Sequence, residues 1–87
     1  MDYQEEFKKV LLSSPHCILG KNGLTDEFIH HVENLLKKYK IIKIKALKSI
    51  TKGGSVSNIA SQLALLTNSQ ILDIRGKKII ICKIKNK

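Results

Sequence analysis

The run Gly20-Lys21-Asn22-Gly23 carries the residues best suited to binding chemistry in this 87-residue chain. Two glycines let the backbone turn tightly and approach a ligand with no Cβ in the way. The apolar run His16-Cys17-Ile18-Leu19 precedes the loop and a strong helix signal follows it. The loop would therefore hand an anion to N–H groups at the positive end of a helix. Lys21 adds a mobile cation and Asn22 a neutral donor and acceptor. That set suits a phosphodiester backbone. By itself Gly-x-x-Gly is a weak signal, because an ordinary strand-to-helix turn also takes glycine for its positive φ.

The basic residues strengthen it. Lys43 and Lys45 alternate with Ile42, Ile44 and Ala46, so they share the outward face of a strand, open to solvent or ligand. Lys48 and Lys52 fall in the loop that follows, and Arg75, Lys77 and Lys78 surround the last turn. The formal net charge is +9, from 16 basic and 7 acidic residues. Such a chain is drawn to polyanions: RNA, DNA or an anionic membrane. Fifteen of the cations are lysine and 13 residues are isoleucine, a usage that an AT-rich genome also produces. Codon bias does not sort acids to one end, however. Residues 1–33 hold 3 basic and 6 acidic residues, whereas residues 34–87 hold 13 basic residues and one acid, Asp73. The segregation points to structure or function. The aromatic residues Tyr3, Phe7, Phe28 and Tyr39 all fall on apolar helix faces. Backbone and shape recognition is expected rather than base stacking.

Other chemistries lack their residues. Past residue 33 the single carboxylate cannot form an acid–base pair with another. The sequence has no nucleophile elbow, no P-loop and no Gly-x-Gly-x-x-Gly. His30 and His31 are adjacent on a helix and diverge by about 100°, so they cannot share a metal as an i,i+4 pair could. His16 reads as a strand-edge histidine. No catalytic residue, metal ligand or cofactor is expected. Cys17 and Cys82 lie among aliphatics and read as reduced, buried apolar residues. The acidic amino terminus is no signal peptide, and no apolar stretch is long enough to span a bilayer. A cytoplasmic protein is expected.

Seven elements must position these residues. Phe7, Val10 and Leu11 recur with Tyr3 at helical spacing over residues 3–12, and Ser13-Ser14-Pro15 ends that helix. A short strand over 16–19 leads into the glycine loop. Thr25 is an N-cap, and Leu24 and Ile29 have the spacing of a hydrophobic staple. Phe28, Ile29, Val32, Leu35, Leu36 and Tyr39 line one face of the second helix. A strand follows over 41–47. A third helix, capped by Ser55, uses Val56, Ile59, Ala60, Leu63 and Leu66, and Asn68 ends it in the left-handed region. Strands over 71–74 and 79–84 flank the hairpin signal Arg75-Gly76-Lys77-Lys78. The order is αβαβαββ in one domain over 1–87, with a right-handed parallel crossover through the second helix and an antiparallel final pair.

These motifs resemble, in order, the CRM domain, named for chloroplast RNA splicing and ribosome maturation, whose stand-alone prokaryotic members are the YhbY-like proteins. Gly20-Lys21-Asn22-Gly23-Leu24-Thr25 is similar to the family's loop signature. Ile41-Ile42-Lys43-Ile44-Lys45 resembles its Ile-Lys-Val-Lys strand, and Ile59-Ala60-Ser61-Gln62-Leu63 its Ile-Ala-x-x-Leu helix. Ile74-Arg75-Gly76-Lys77 with Ile79-Ile80-Ile81 resembles its last hairpin. The likeness covers roughly residues 3–85. Glu5 and Glu6 stand in a first helix that is often basic in the family, and Cys82-Lys83 stands where Tyr-Arg is frequent.

The resemblance implies a compact α/β (α+β) domain with a four-stranded mixed sheet, similar to the C-terminal domain of translation initiation factor three. It implies RNA binding through a KH-like Gly-x-x-Gly loop and association with ribosomal RNA of the large-subunit precursor. Carried over by position, Gly20, Lys21, Asn22 and Gly23 would hold the RNA backbone. Lys52, Arg75, Lys77 and Lys78 would share that surface. The leading expectation is a non-enzymatic, monomeric RNA binder acting in large ribosomal subunit assembly. The alternative is a protein-interaction module of a ribosome-assembly or RNA-processing particle. Membrane binding is disfavoured, since no helix joins a strongly basic face to exposed bulky apolar residues.

Overall fold

The apolar stripes predicted from the sequence close around the two faces of one sheet. The computed structural model describes residues 3–20, 23–47 and 56–84. Lys21, Asn22, Lys48, Lys52 and Ser55 lie outside them. The elements are α1 (Tyr3–Leu12), β1 (Cys17–Leu19), α2 (Asp26–Tyr39), β2 (Ile41–Ala46), α3 (Val56–Thr67), β3 (Ser69–Arg75) and β4 (Lys78–Lys83). Their order is the expected αβαβαββ.

The four strands lie in the order β1-β2-β4-β3. β1 pairs parallel to β2, while β2 with β4 and β4 with β3 are antiparallel. Alternation assigns the two faces. Ile42, Ile44, Ile79 and Ile81 point to a core shared with Val32 and Leu36 of α2 and Ala60 and Leu63 of α3. Ile41, Ile80 and Cys82 point to the other face, where Val10 of α1 covers them with Phe7 and Leu11. A sheet covered on both faces has strands rich in isoleucine, and the three consecutive isoleucines 79–81 of β4 are all buried. β3 carries a register shift between Ile71 and Asp73, so that Ile71 and Ile74 both face the α2 and α3 side while Leu72 packs on the α1 side.

The helix ends follow from local chemistry. Thr25 has extended backbone and its hydroxyl accepts from the Phe28 N–H, as an N-cap must. Asn68 takes φ 52 after α3 and Gly76 takes φ 59 at the first position of the two-residue Gly76-Lys77 turn. Glycine there fits a type II′ hairpin. Lys40 ends α2 with φ 68, its N–H donating to the Leu36 carbonyl. The sequence carries no glycine or asparagine to announce that cap. Cys17 packs against the α2 and α3 side and Cys82 lies on the α1 side. Both are free thiols, and burial pushes the Cys17 pKa up to about 11.

Candidate functional site

The end of the sheet where β1 and β2 finish gathers most of the predicted binding residues. Gly20 follows the last residue of β1, and the Leu47 N–H donates to the Leu19 carbonyl at 3.0 Å. At the same end the Ala46 N–H donates to the Lys77 carbonyl at 2.8 Å. The β3–β4 turn is thereby fixed to the tip of β2. Residues far apart in sequence thus meet: the acidic third supplies the glycine loop and the basic half supplies the turn. Gly20 and Lys77 stand two strand spacings apart, about 10 Å.

The glycine loop is closed by its own backbone. The Gly23 N–H donates to the Gly20 carbonyl at 3.0 Å, and the Thr25 N–H to the Gly23 carbonyl at 3.0 Å. Gly23 has φ 76, so glycine is required there by conformation. Gly20 is different. Its φ lies outside the left-handed region, and a Cβ placed on it would meet only the Leu47 side chain, at an ordinary 4.0 Å. Nothing inside the described chain demands glycine at 20. Beside the loop lies an open groove of about 620 Å³, bordered by Gly20, Gly23, Thr25, Glu27, His31 and Leu47.

The free helix N-terminus expected from the sequence is partly occupied. The Phe28 N–H is already bound by Thr25, and Asp26 and Glu27 place two carboxylates in the first turn of α2. A phosphate on this loop would meet fewer free donors, and more negative charge, than the loop motif alone predicts.

The basic residues divide between solvent and interior. Lys43 is not on an open face. It is 4% exposed, because α1 closes over that part of the sheet. Its ammonium donates to the carbonyls of Leu11 and Ser13 at 2.8 and 2.9 Å. Burial first, and the charge of Lys78 second, hold its pKa below the usual lysine value. Lys45 lies on the same face, past the end of α1, and is exposed. It pairs directly with Lys78, which pairs with Arg75. Directly paired side chains share a face about 5 Å apart, so Lys45, Lys78 and Arg75 form a row of cations across three strands. Ile18 of β1, paired with Lys45 and 56% exposed, extends the row. Asp73 is the one carboxylate on these strands. It accepts from the Arg75 Nε at 2.7 Å, and that hydrogen bond leads the causes holding its pKa below the usual carboxylate value.

This row lies on the α1 side of the sheet, whereas Gly20 opens toward α2. The expected single surface is therefore two adjoining surfaces at one end of the sheet. The cross-strand register that aligns Lys45 with Lys78 is not visible in the sequence. Only the alternation of Lys45 along β2 signals its direction.

His16 also differs from a bare strand-edge residue. Its Nδ1 accepts from the Lys43 N–H at 3.1 Å, and its ring lies 4.8 Å from that of Tyr39. Tyr39, expected on the apolar face of α2, is 41% exposed. His30 and His31 are exposed on α2. Among the described residues no group of three His, Cys, Asp or Glu side chains could hold a metal ion, and no helix is long and apolar enough to cross a membrane.

Comparison with known proteins agrees with this architecture. Among solved structures, the chain is similar to the hypothetical protein SAV1595 from Staphylococcus aureus, a candidate RNA-binding protein determined in solution. The match has a TM-score of 0.74 at 19% sequence identity, over 97% of this chain and 85% of that one. At that identity the likeness shows a shared fold. No curated protein matches the sequence. Residues 6–83, from within α1 to the last residue of β4, match the model of the CRS1/YhbY (CRM) domain, and the chain belongs to that family.

Proposed function

We propose that this protein is a non-enzymatic RNA-binding domain that holds the backbone of structured RNA at one end of its sheet. The observation that carries it is the meeting of the Gly20–Gly23 turn with the basic β3–β4 turn at the tip of β2. Gly20, Lys21, Asn22 and Gly23 supply close backbone approach and one cation. Arg75, Lys77 and Lys78 supply charge on the adjoining surface, and Lys52 belongs to the same set by the family resemblance. Membership of the CRM family and a fold shared with a candidate RNA-binding protein support this function. The whole chain acts as one domain, a monomer in the cytoplasm, and its RNA is ribosomal RNA of the assembling large subunit.

The test is binding of wild type and Lys21→Ala to several structured RNAs across a salt series. Each phosphate contact contributes about 0.9 to the slope of log affinity against log salt. Lys21→Ala is expected to weaken binding to each RNA by a similar factor and to reduce the slope by about one. An unchanged affinity and slope would leave the loop as a turn only.

A second function, as a protein-interaction module, is favoured by one observation. Leu65 and Leu66 of α3 are 82% and 54% exposed, an apolar patch outside the RNA surface proposed above. Failure to bind ribosomal RNA at about 0.15 M salt, with co-sedimentation on a protein partner after nuclease treatment, would select it.

A further inference from the structure

On the α1 side of the sheet, the end of α1 and the β3–β4 hairpin enclose a recess of about 400 Å³. Four cations line it: Lys43, Arg75, Lys77 and Lys78. Leu11, half-buried, and Leu12, 87% exposed, form its apolar wall. The recess is separate from the groove beside Gly20, with which it shares no lining residue.

The charge in it exceeds what the fold uses. Lys43 spends two ammonium protons on the carbonyls of Leu11 and Ser13, and a lysine has three. Arg75 gives its Nε to Asp73, which leaves its other guanidinium donors. No other carboxylate exists on β2, β3 or β4. Lys45 and Lys78 face each other directly across the β2–β4 ladder, an arrangement of like charges that destabilises a sheet. Burial first, and the charge of Lys78 second, hold the pKa of Lys43 below the usual lysine value. One buried cation, Lys43, and three exposed ones, Arg75, Lys77 and Lys78, with Asp73 the one carboxylate on these strands, make a recess that can receive an external anion. Guanidinium and ammonium groups converging from a strand, a turn and a buried position suit the tetrahedral oxygens of phosphate.

We propose that this recess is a phosphate-binding pocket, which takes one phosphate of an RNA whose backbone passes around the tip of β2 from the Gly20 loop to the α1 side. Its volume exceeds one phosphate, leaving room for the attached sugar against Leu12. The source of the phosphate rests on the RNA-binding function proposed above, while the oxyanion chemistry of the pocket does not. Bound RNA then contacts both sides of the sheet at one end, and this domain reads the path of a strand rather than a flat surface.

The test uses the full chain and follows backbone amides by NMR during titration with a structured RNA and, separately, with inorganic phosphate. Wild type is compared with the double variant Lys77→Gln/Lys78→Gln and with a control, Lys37→Gln/Lys38→Gln, at the far end of α2. The expected result is that RNA shifts the amides of Arg75 to Ile80 and of Leu11 and Leu12 as well as those of Gly20 and Gly23. The Lys77/Lys78 variant should keep the loop shifts and melt at or slightly above the wild-type temperature, since the repulsion between Lys45 and Lys78 is gone. It should lose the hairpin shifts and about 0.9 of the salt slope, the share of one phosphate. Loop shifts without hairpin shifts would overturn the proposal, as would an equal loss in the control. If wild type binds no RNA, the function proposed above fails and the phosphate titration decides the pocket alone. Saturable shifts confined to the hairpin and the end of α1 at about 1 mM phosphate or below, absent from the Lys77/Lys78 variant, would identify a free-phosphate site. No such shifts would overturn the pocket altogether.

Discussion

The ammonium of Lys43 on β2 donates to the carbonyl oxygen of Leu11 at the end of α1, 2.8 Å away. With a second bond to Ser13 at 2.9 Å, it satisfies carbonyls that a helix C-terminus otherwise leaves without partners. The positive charge also suits the negative end of the helix dipole. Lys43→Met keeps an unbranched chain in the same space but removes both bonds. The expected outcome is a loss of about 1.5–3 kcal/mol, the range for bonds to a charged group. Chemical denaturation measures it, and hydrogen exchange should show the last turn of α1 opening first. Full wild-type stability would mean that the desolvation of the buried cation cancels its bonds.

His16 gives the fold a dependence on mild acid. Its Nδ1 accepts the Lys43 N–H, so in the fold the ring is neutral and carries its proton on Nε2. Burial lowers its pKa below 6.5. The unfolded chain therefore takes up a proton near pH 6.5 while the folded chain still resists it. Stability is complete above that pH and falls as the pH drops through the folded pKa. Asp73 also has a lowered pKa, from the usual 3.8, but its contribution is lost only at still lower pH. Melting temperatures between neutral pH and the carboxylate range should decline for wild type and stay flatter for His16→Gln. An equal decline in the variant would remove His16 as the cause.

Most of the fold was legible because its signals are local. Phe7, Val10 and Leu11 fall on one face of α1 at helical spacing, Thr25 has the chemistry of a cap, and Gly76 that of a hairpin turn. Each of these depends on a few neighbouring residues. Lys43 shows where such signals stop. Alternation along β2 correctly places Lys43 and Lys45 on one face, but nothing in their spacing says that α1 covers the first and leaves the second exposed. That depends on where a helix from the other end of the chain comes to rest. The candidate site was legible in its loop and its turn. Its division between the two sides of the sheet was not, because it arises from the pairing of Lys45 with Lys78 and of Lys78 with Arg75.

The two ends of α2 make opposite predictions. Thr25→Ala removes the hydroxyl that accepts the Phe28 N–H at 3.1 Å and should cost about 1 kcal/mol. Lys40 holds φ 68 with ψ −46, which a Cβ disfavours and glycine tolerates. Lys40→Gly keeps the N–H that bonds to Leu36 and should raise stability by up to about 1 kcal/mol. Denaturation midpoints at fixed pH measure both. A loss on Lys40→Gly would mean that the added freedom of the unfolded chain outweighs the relief of strain.

Gly20 and Gly23 separate folding from binding within one loop. Gly23 has φ 76 and closes the turn onto the Gly20 carbonyl, so Gly23→Ala should destabilise the fold by about 1–2 kcal/mol. Gly20 has no such demand, and a Cβ there meets Leu47 at van der Waals distance. Gly20→Ala should therefore leave stability within about 0.5 kcal/mol of wild type. If RNA comes close to this backbone, the added methyl intrudes on the ligand instead of on the protein. An affinity loss of about tenfold, or 1.4 kcal/mol, is then expected with the melting temperature unchanged. Measuring both quantities on both variants distinguishes a binding loop from a turn. Wild-type RNA affinity in Gly20→Ala would show that the ligand does not approach at residue 20, and that the contacts lie with the cations of the hairpin.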